Sequence, residues 1–381
     1  MSIATSLDVF LIVMTIVYTF LVLYMRRGWN RIPAFTPESA GHIFKRKVSV
    51  LIAARNEEEN IARTLDCMVS QDFPKEYMEI IIVDDHSTDA TADIVHAYRD
   101  RGVKLIRLQE GDTLNSYKKL AISRAIAAAT GEIIVTTDAD CRMGVHWLST
   151  VIAYFERTNA MMLSSPVVYS EEKSYFEKLQ TLEFLYLIGL GAAGIGNGKP
   201  TTCNGANLAY RRDVFYAMGG FSGIDDLASG DDELFLHKVA ERHADKIRFC
   251  KSTDVVVYTD AKPTLAGFIS QRRRWASKST KYRDKRVVLL GVSVWLFNLA
   301  LLASAIHFFL DLPNLHVLFL VAFGLKVIAE LAFIYPLCAF ARRRTLLFSL
   351  PFLSFVHSLY LIYIGIAGNV GKYNWKDRKV N

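Results

Sequence analysis

The sequence predicts an α/β domain with a mostly parallel sheet, flanked by transmembrane helices. Three observations carry this. Between residues 48 and 138, short apolar β-prone runs alternate with helix-length segments. Acidic pairs stand directly after two of those runs, at Asp84-Asp85 and Asp138-Ala139-Asp140. Long uncharged apolar runs sit at both ends of the chain, around a more hydrophilic middle.

Val9 to Met25 carries no charge, and Arg26 and Arg27 come directly after it. With its flanks the run can span a bilayer, for which about 17 to 25 residues suffice. No Lys or Arg precedes it, so it reads as an uncleaved anchor (residues 1–27) rather than a signal peptide. The positive flank puts the adjoining middle of the chain on the cytoplasmic side. Residues 28–46, with Gly28, Pro33, Pro37 and Gly41, read as a linker before a cytoplasmic domain over 47–270.

Within that domain Val48 to Ala53 is a buried strand. Asn56 is expected to cap a helix with Glu57, Glu58 and Glu59 in its first turn and an Ile61, Leu65, Met68 stripe. Ile80 to Val83 is the second strand, about 30 residues on, the spacing of a βαβ unit. A helix over Asp89 to Arg101, a strand over Val103 to Leu108, a helix over Tyr117 to Ala129 and a strand into Asp138 complete the alternation. A helix over Trp147 to Phe155 and a single strand over Met161 to Val168 come next. Phe184 to Ile195 is apolar and Gly-rich, short for a span, and fits a core or interfacial segment. Ser229 to Glu233 is an acidic helix start.

Net charge is +7, and residues 271–286 hold eight basic residues against Asp284 alone. A basic stretch just before an apolar run favours lipid headgroups over a nucleic acid polymer. Three apolar runs then occupy 287–371: Val287–Leu310, Leu315–Phe340 and Leu346–Val370. Lys326 and Glu330 lie four apart in the second run, as a structural pair or part of an acceptor pathway. Four spans place the tail (372–381) outside, yet Lys372, Lys376, Arg378 and Lys379 favour the cytoplasm. The five cysteines are scattered without a C-x-x-C pair, which argues against a disulfide framework and a zinc site. There is no internal repeat, Walker loop, G-x-G-x-x-G after a strand, or H-E-x-x-H.

Four elements stand in order: Asp84-Asp85-His86-Ser87-Thr88-Asp89, Asp138-Ala139-Asp140, Gly230-Asp231-Asp232-Glu233, and Gln271-Arg272-Arg273-Arg274-Trp275. Two carboxylates at a strand end suit a hard cation shared with phosphates. A carboxylate can take the proton of an attacking hydroxyl. On a helix Gln271, Arg274 and Trp275 share a face, on which Trp275 offers a flat apolar wall. Set among other acids, Asp232 is expected to have a raised pKa.

This ordered set resembles the membrane-anchored glycosyltransferases of family 2, which have a GT-A fold and include cellulose, chitin and hyaluronan synthases and ceramide glucosyltransferases. The resemblance covers about residues 45–285. It implies that Asp85 recognises the nucleotide base and that the turn with Arg55 and Glu57 lines the nucleotide pocket. Lys118 would touch base or phosphate, although Tyr117 stands where the family has glycine. Asp138 and Asp140 would flank a divalent metal, Mn²⁺ or Mg²⁺, on the diphosphate. Asp232 would be the general base, with Gln271, Arg274 and Trp275 at the acceptor and diphosphate end. Cys203 and His86 read as bystanders.

The reaction so implied is inverting transfer from a nucleotide sugar, a UDP-sugar foremost, at the cytoplasmic face of a multi-pass cell (inner) membrane protein. The acceptor is a membrane lipid hydroxyl of glycolipid or polyprenol type. The alternative is a processive polysaccharide synthase with a glycan acceptor, which with so few spans needs a homo-oligomer or an export partner. A non-catalytic nucleotide-binding scaffold is a further alternative, against which the complete acidic set argues.

Overall fold

A computed structural model describes residues 3–37, 43–108, 116–225, 229–278, 282, 284–310, 317–367, 373–375 and 378–380. The sequence readings for Lys281 and Arg283 in the basic stretch, and for Lys372 and Lys376 in the tail, lie outside the described residues.

Helix α1 (Ile3–Arg31) is longer than the apolar run and takes in the first residues of the expected linker. Strand β1 (Val48–Ala54) is buried on both faces, which is why it reads as a continuous apolar run. Helix α2 (Ile61–Val69) buries Ile61, Leu65 and Met68 as the stripe requires. It begins at Asn60, however, and not at Asn56. Asn56 adopts a left-handed φ of 50°, and its Oδ1 accepts from the Thr88 amide at 2.9 Å. Asn tolerates that conformation and bonds locally, so the turn displaces the cap. Then come β2 (Met78–Asp84), α3 (Thr91–His96), β3 (Val103–Arg107), α4 (Tyr117–Ala128) and β4 (Ile133–Asp138). The expected helix to Arg101 is thus shorter, continuing as a single 3₁₀ turn over Arg99–Arg101.

After β5 (Arg142–Met143) and α5 (Trp147–Thr158), the expected single strand is two: β6 (Met162–Ser164) and β7 (Val167–Ser170). Pro166 lies between them and has no N–H for a ladder, so the chain passes there from one sheet to another. Helix α6 (Tyr175–Gly196) is followed by β8 (Leu208–Arg211), α7 (Arg212–Ala217), α8 (Glu233–His243), β9 (Ile247–Phe249), β10 (Val257–Asp260) and α9 (Leu265–Ser277). Helices α10 (Lys285–Leu310), α11 (Val317–Phe340) and α12 (Leu350–Ala367) form the C-terminal bundle, and strands β11 (Tyr373–Trp375) and β12 (Arg378–Val380) pair after it.

The main sheet runs β3-β2-β1-β4-β8-β6-β9. Its first four strands are parallel, and β8 is antiparallel to both neighbours. A smaller sheet runs β5-β10-β7. The mostly parallel sheet is therefore the expected one, with β8 as the reversal.

Among the described residues, five helices are long and apolar enough to cross a membrane: Leu7–Arg31, Tyr175–Gly196, Val287–Leu310, Val317–Phe340 and Arg344–Ala367. The second of these, α6, cannot separate two compartments. β4 precedes it and β8 follows it, yet the two strands pair from Ile133 to Thr136. α6 instead packs on β7 and β9 at the sheet and on α1 and α11 in the bundle, joining the two layers.

Candidate active site

The rim of the sheet is set by register. Ala54 of β1 pairs with Asp84, and Ala53 pairs with Asp138. With the order β2-β1-β4, strand β1 marks the point where the chain winds to opposite sides, and the carboxyl ends of its two neighbours carry the acidic motifs. Open α/β sheets bind their ligands at such a crevice.

On one side of the crevice, the turn after β1 is laced to the loop after β2. Arg55 Nη1 donates to the carbonyls of Asp85 (2.9 Å) and His86 (3.0 Å). The Asn56 amide donates to Ser87 Oγ at 3.0 Å, and the Glu57 amide to Thr91 Oγ1 at 2.7 Å. Asp85 is buried, and its Oδ1 lies 2.9 Å from Nδ1 of His86. His86, read from the sequence as a bystander, is thus the partner of Asp85.

On the other side, Lys118 near the start of α4 reaches both acidic motifs. Its Nζ is 2.8 Å from Asp138 Oδ1 and 3.4 Å from Asp231 Oδ2. Burial opposes the charge of Lys118, but Asp138, Asp231 and Asp232 outweigh it and hold the ammonium protonated above the usual lysine range. Among the described residues no group of three or more His, Cys, Asp or Glu side chains could hold a metal alone. Two carboxylates completed by substrate phosphates are a donor set that suits a divalent metal, which is the part expected of Asp138 and Asp140. Asp138 is 39% exposed and already pairs with the ammonium of Lys118.

Asp232 caps α8. Its Oδ1 accepts from the Glu233 amide at 2.6 Å and its Oδ2 from the Gly205 amide at 2.9 Å. The approach is close, since a Cβ at Gly205 would lie 3.3 Å from that of Asp232. Gly230, with φ of 86°, makes the turn that presents the acids. Beyond α9, Lys278 Nζ is 2.8 Å from Glu233 Oε2 and 3.8 Å from Asp232 Oδ1. Glu233 also accepts from Thr202 Oγ1 at 2.8 Å and from the Tyr282 hydroxyl.

The expectation of a raised pKa for Asp232 is overturned. Burial pushes its carboxyl up, but Lys278, Lys118 and the two amides overcome burial and hold it below the ordinary value. The sequence displayed the neighbouring acids and hid the two lysines that the fold brings against them. Burial pushes the nearby Cys203 thiol well up, reinforced by Asp232 and Glu233, so it stays protonated.

The helical face expected for Gln271, Arg274 and Trp275 forms on α9. Gln271 Oε1 accepts from the Tyr169 hydroxyl at 3.4 Å and from Arg272 Nη1 at 2.5 Å. Trp275 stacks on Phe184 at 5.8 Å and lies 4.3 Å from the Arg272 guanidinium, so part of its ring is already covered. Arg272 is buried and donates through Nε to Glu183 of α6 at 3.1 Å. It and Lys278 are internal, which removes two charges from the expected headgroup belt.

Sequence reasoning missed Lys278, although it continues the same stripe one turn beyond Arg274. It gave Glu233 no role. It also missed Lys119, whose buried Nζ holds the carbonyls of Ile224 (2.6 Å) and Ser229 (2.7 Å) just before the acidic turn. Those partners lie more than a hundred residues away, and no local pattern announces them.

Residues 49–219 match the family described as Glycosyl transferase family 2. The "Probable glycosyltransferase YdaM" of Bacillus subtilis (strain 168) is 29% identical over 236 residues, covering 60% of this chain and 54% of that protein. The "Beta-monoglucosyldiacylglycerol synthase" of Synechocystis sp. (strain PCC 6803) is 32% identical over 234 residues, covering 60% of this chain and 47% of that protein. The chain thus spans about half the length of these curated relatives. Among solved structures, the mannosyltransferase PcManGT from Pyrobaculum calidifontis, in complex with GDP-Man and Mn²⁺, superposes with a TM-score of 0.60 at 21% identity. That likeness covers 93% of this chain and 98% of that one, and establishes the shared fold.

Proposed function

The chain carries a glycosyltransferase family 2 domain over residues 49–219, and from that premise we propose that it moves a hexose from a nucleotide sugar to a membrane lipid hydroxyl, with inversion. One observation carries the reading: Lys118 bonds Asp138 and pairs with Asp231, so the D-x-D motif and the acids expected to serve as base share one rim. The relative named for glucosyldiacylglycerol synthesis supports a lipid acceptor. So does the closeness of this rim to α9 and, through it, to the bundle of apolar helices.

In the proposed reaction the acceptor oxygen attacks the anomeric carbon from the face opposite the diphosphate. The new C–O bond forms as the bond to phosphate breaks, and the hydroxyl proton passes to Asp232. Negative charge leaves with the nucleoside diphosphate. Lys118 and Arg274 would stabilise it. Asp138 and Asp140 would hold Mn²⁺ or Mg²⁺, which when bound supplies further positive charge at the diphosphate. Arg55, Glu57 and the Asp85–His86 pair form the wall that would recognise the nucleotide. Gln271 and Trp275 would meet the acceptor sugar or headgroup. The soluble domain would lie at the cytoplasmic face of the cell membrane, with α1, α10, α11 and α12 as spans.

The test uses the full chain in lipid vesicles with Mn²⁺ or Mg²⁺, a panel of radiolabelled UDP- and GDP-sugars, and a total membrane lipid extract. Label in a small organic-soluble product is expected. Label in a high-molecular-weight polymer would replace the lipid acceptor with a growing glycan. Nucleotide binding without transfer from any donor would overturn catalysis.

A further inference from the structure

The acid cluster at the start of α8 and the side chain that completes it, Lys278, both lie beyond residues 49–219 of the family 2 match. Lys278 follows α9 and leads toward the first C-terminal apolar helix. Its ammonium lies between Glu233 Oε2 at 2.8 Å and Asp232 Oδ1 at 3.8 Å. Glu233 takes two further donors, Thr202 Oγ1 and the Tyr282 hydroxyl, so its carboxylate is held in place and serves as an anchor. Asp232 is held differently. Backbone amides fix each of its oxygens from α8 and from Gly205, while Lys278 approaches from the side of α9.

We propose that Lys278 is a positioning residue for Asp232: anchored on Glu233, it fixes the base from the side of α9, so the helix that meets the acceptor also completes the base. This rests on the reading of Asp232 as the base. Gln271, Arg274, Trp275 and Lys278 stand at i, i+3, i+4 and i+7, one stripe of one rigid helix and its cap. Docking of α9 therefore brings acceptor-facing groups and the counter-charge of the base together. The groups facing Asp232 are Lys118 of α4, Asp231 and Glu233 on its own turn, Lys278 and Tyr282 beyond α9, and the Cys203 thiol. Of these the two lysines favour its ionised form. Removing one must move the pH at which the base protonates upward, toward neutrality.

The test compares Lys278→Met, Lys278→Arg and the double variant Lys278→Met/Glu233→Gln in the full chain, reconstituted in vesicles with the donor identified by the panel above. In the double variant the amide oxygen introduced in place of the Glu233 carboxylate can still accept from Thr202 and Tyr282, so no buried charge is orphaned. Lys278→Met and the double variant are expected to lose about 10-fold or more in kcat, with donor KM within about 2-fold. In both, the acid limb of kcat against pH moves up by about one unit. Lys278→Arg recovers kcat to within about 3-fold. Wild-type kcat in the double variant, or an unmoved acid limb, overturns the proposal. Failure of both Met variants to fold also overturns it, because the pair is then a structural clasp. Asp232→Asn is run alongside: if it transfers at the wild-type rate, the base assignment itself falls, a result distinct from an inert Lys278.

Discussion

The rim of the sheet and the middle of the helix bundle each bury a lysine against carboxylates, and they do it differently. In the bundle, Lys326 donates to Glu330 Oε1 at 2.8 Å and to the Ser354 carbonyl at 3.1 Å. Glu330 also accepts from the Tyr18 hydroxyl at 2.6 Å and from the Ser354 hydroxyl. Both carboxylate oxygens and the ammonium are matched by groups on α1, α11 and α12, so this polar knot is closed. At the rim, Lys118 and Lys278 reach several acids each, while Asp138 remains partly open to water and Asp232 keeps lone pairs to spare. A saturated cluster holds helices together. An open one has valence left for a ligand. Of the two readings that sequence spacing left for Lys326 and Glu330, the saturated hydrogen bonding supports the structural pair.

The contrast breaks most visibly at Asp232. Asp232→Asn should lower transfer by about 10²- to 10⁴-fold. Asn caps helices as well as Asp, so the fold should hold, and calorimetric titration with UDP and Mn²⁺ should give an affinity within about 3-fold of wild type. Retained transfer would make the rim as structural as the bundle. Next in size is Lys326→Met, which strands Glu330 and should cost about 3 to 5 kcal/mol of stability, read as a lower unfolding midpoint in detergent. The double variant Lys326→Met/Glu330→Leu, lacking both charges, should recover to within about 1 kcal/mol of wild type or exceed it. Lost transfer in that double variant at wild-type stability would put the pair back on an acceptor path.

Part of the rim was legible because two of its motifs lie at the carboxyl ends of β2 and β4, the strands on either side of β1. The apolar run before Asp138 and the spacing from Val48 to Ile80 fix which residues emerge at one edge of a parallel sheet, and the register of β1 against β2 and β4 agrees. What stayed hidden are contacts between segments remote in sequence. Lys278 lies 45 residues beyond Glu233 and Lys119 more than a hundred before Ser229, and both act through one terminal nitrogen. The raised pKa expected for Asp232 failed for this reason, since adjacency showed its acids and not its lysines. The Arg272–Glu183 pair was hidden by its own motif, where the buried arginine looks the same as its half-buried neighbours. The Phe184–Ile195 run was ambiguous because a helix bridging sheet and bundle is apolar on most of its face in either setting.

The smallest effect tests the same contrast inside the main sheet. Glu79, at the start of β2 and the opposite end of that strand from Asp84, is a closed carboxylate. It accepts from Ser49 Oγ at 2.6 Å, Thr130 N at 2.6 Å, Gly131 N at 3.2 Å and Lys104 Nζ at 2.7 Å. Burial raises its pKa, but these donors prevail and bring it down to about 2. A carboxyl depressed on folding stabilises the fold fully above its unfolded value, and that contribution is lost as pH falls through the folded value. The window for Glu79 therefore runs from about pH 4.5 down to about pH 2. Glu79→Gln should be modestly less stable than wild type at neutral pH, and the gap in urea midpoints should narrow as pH falls from about 4.5 to about 2. Its transfer rate at neutral pH should match wild type. Asp232 is depressed as well, but on the proposed reading of Asp232 as the base its protonation should appear in the rate before it appears in stability. A Glu79 variant that changed the pH profile of transfer, with no change in the pH dependence of unfolding, would erase that distinction between closed and open carboxylates.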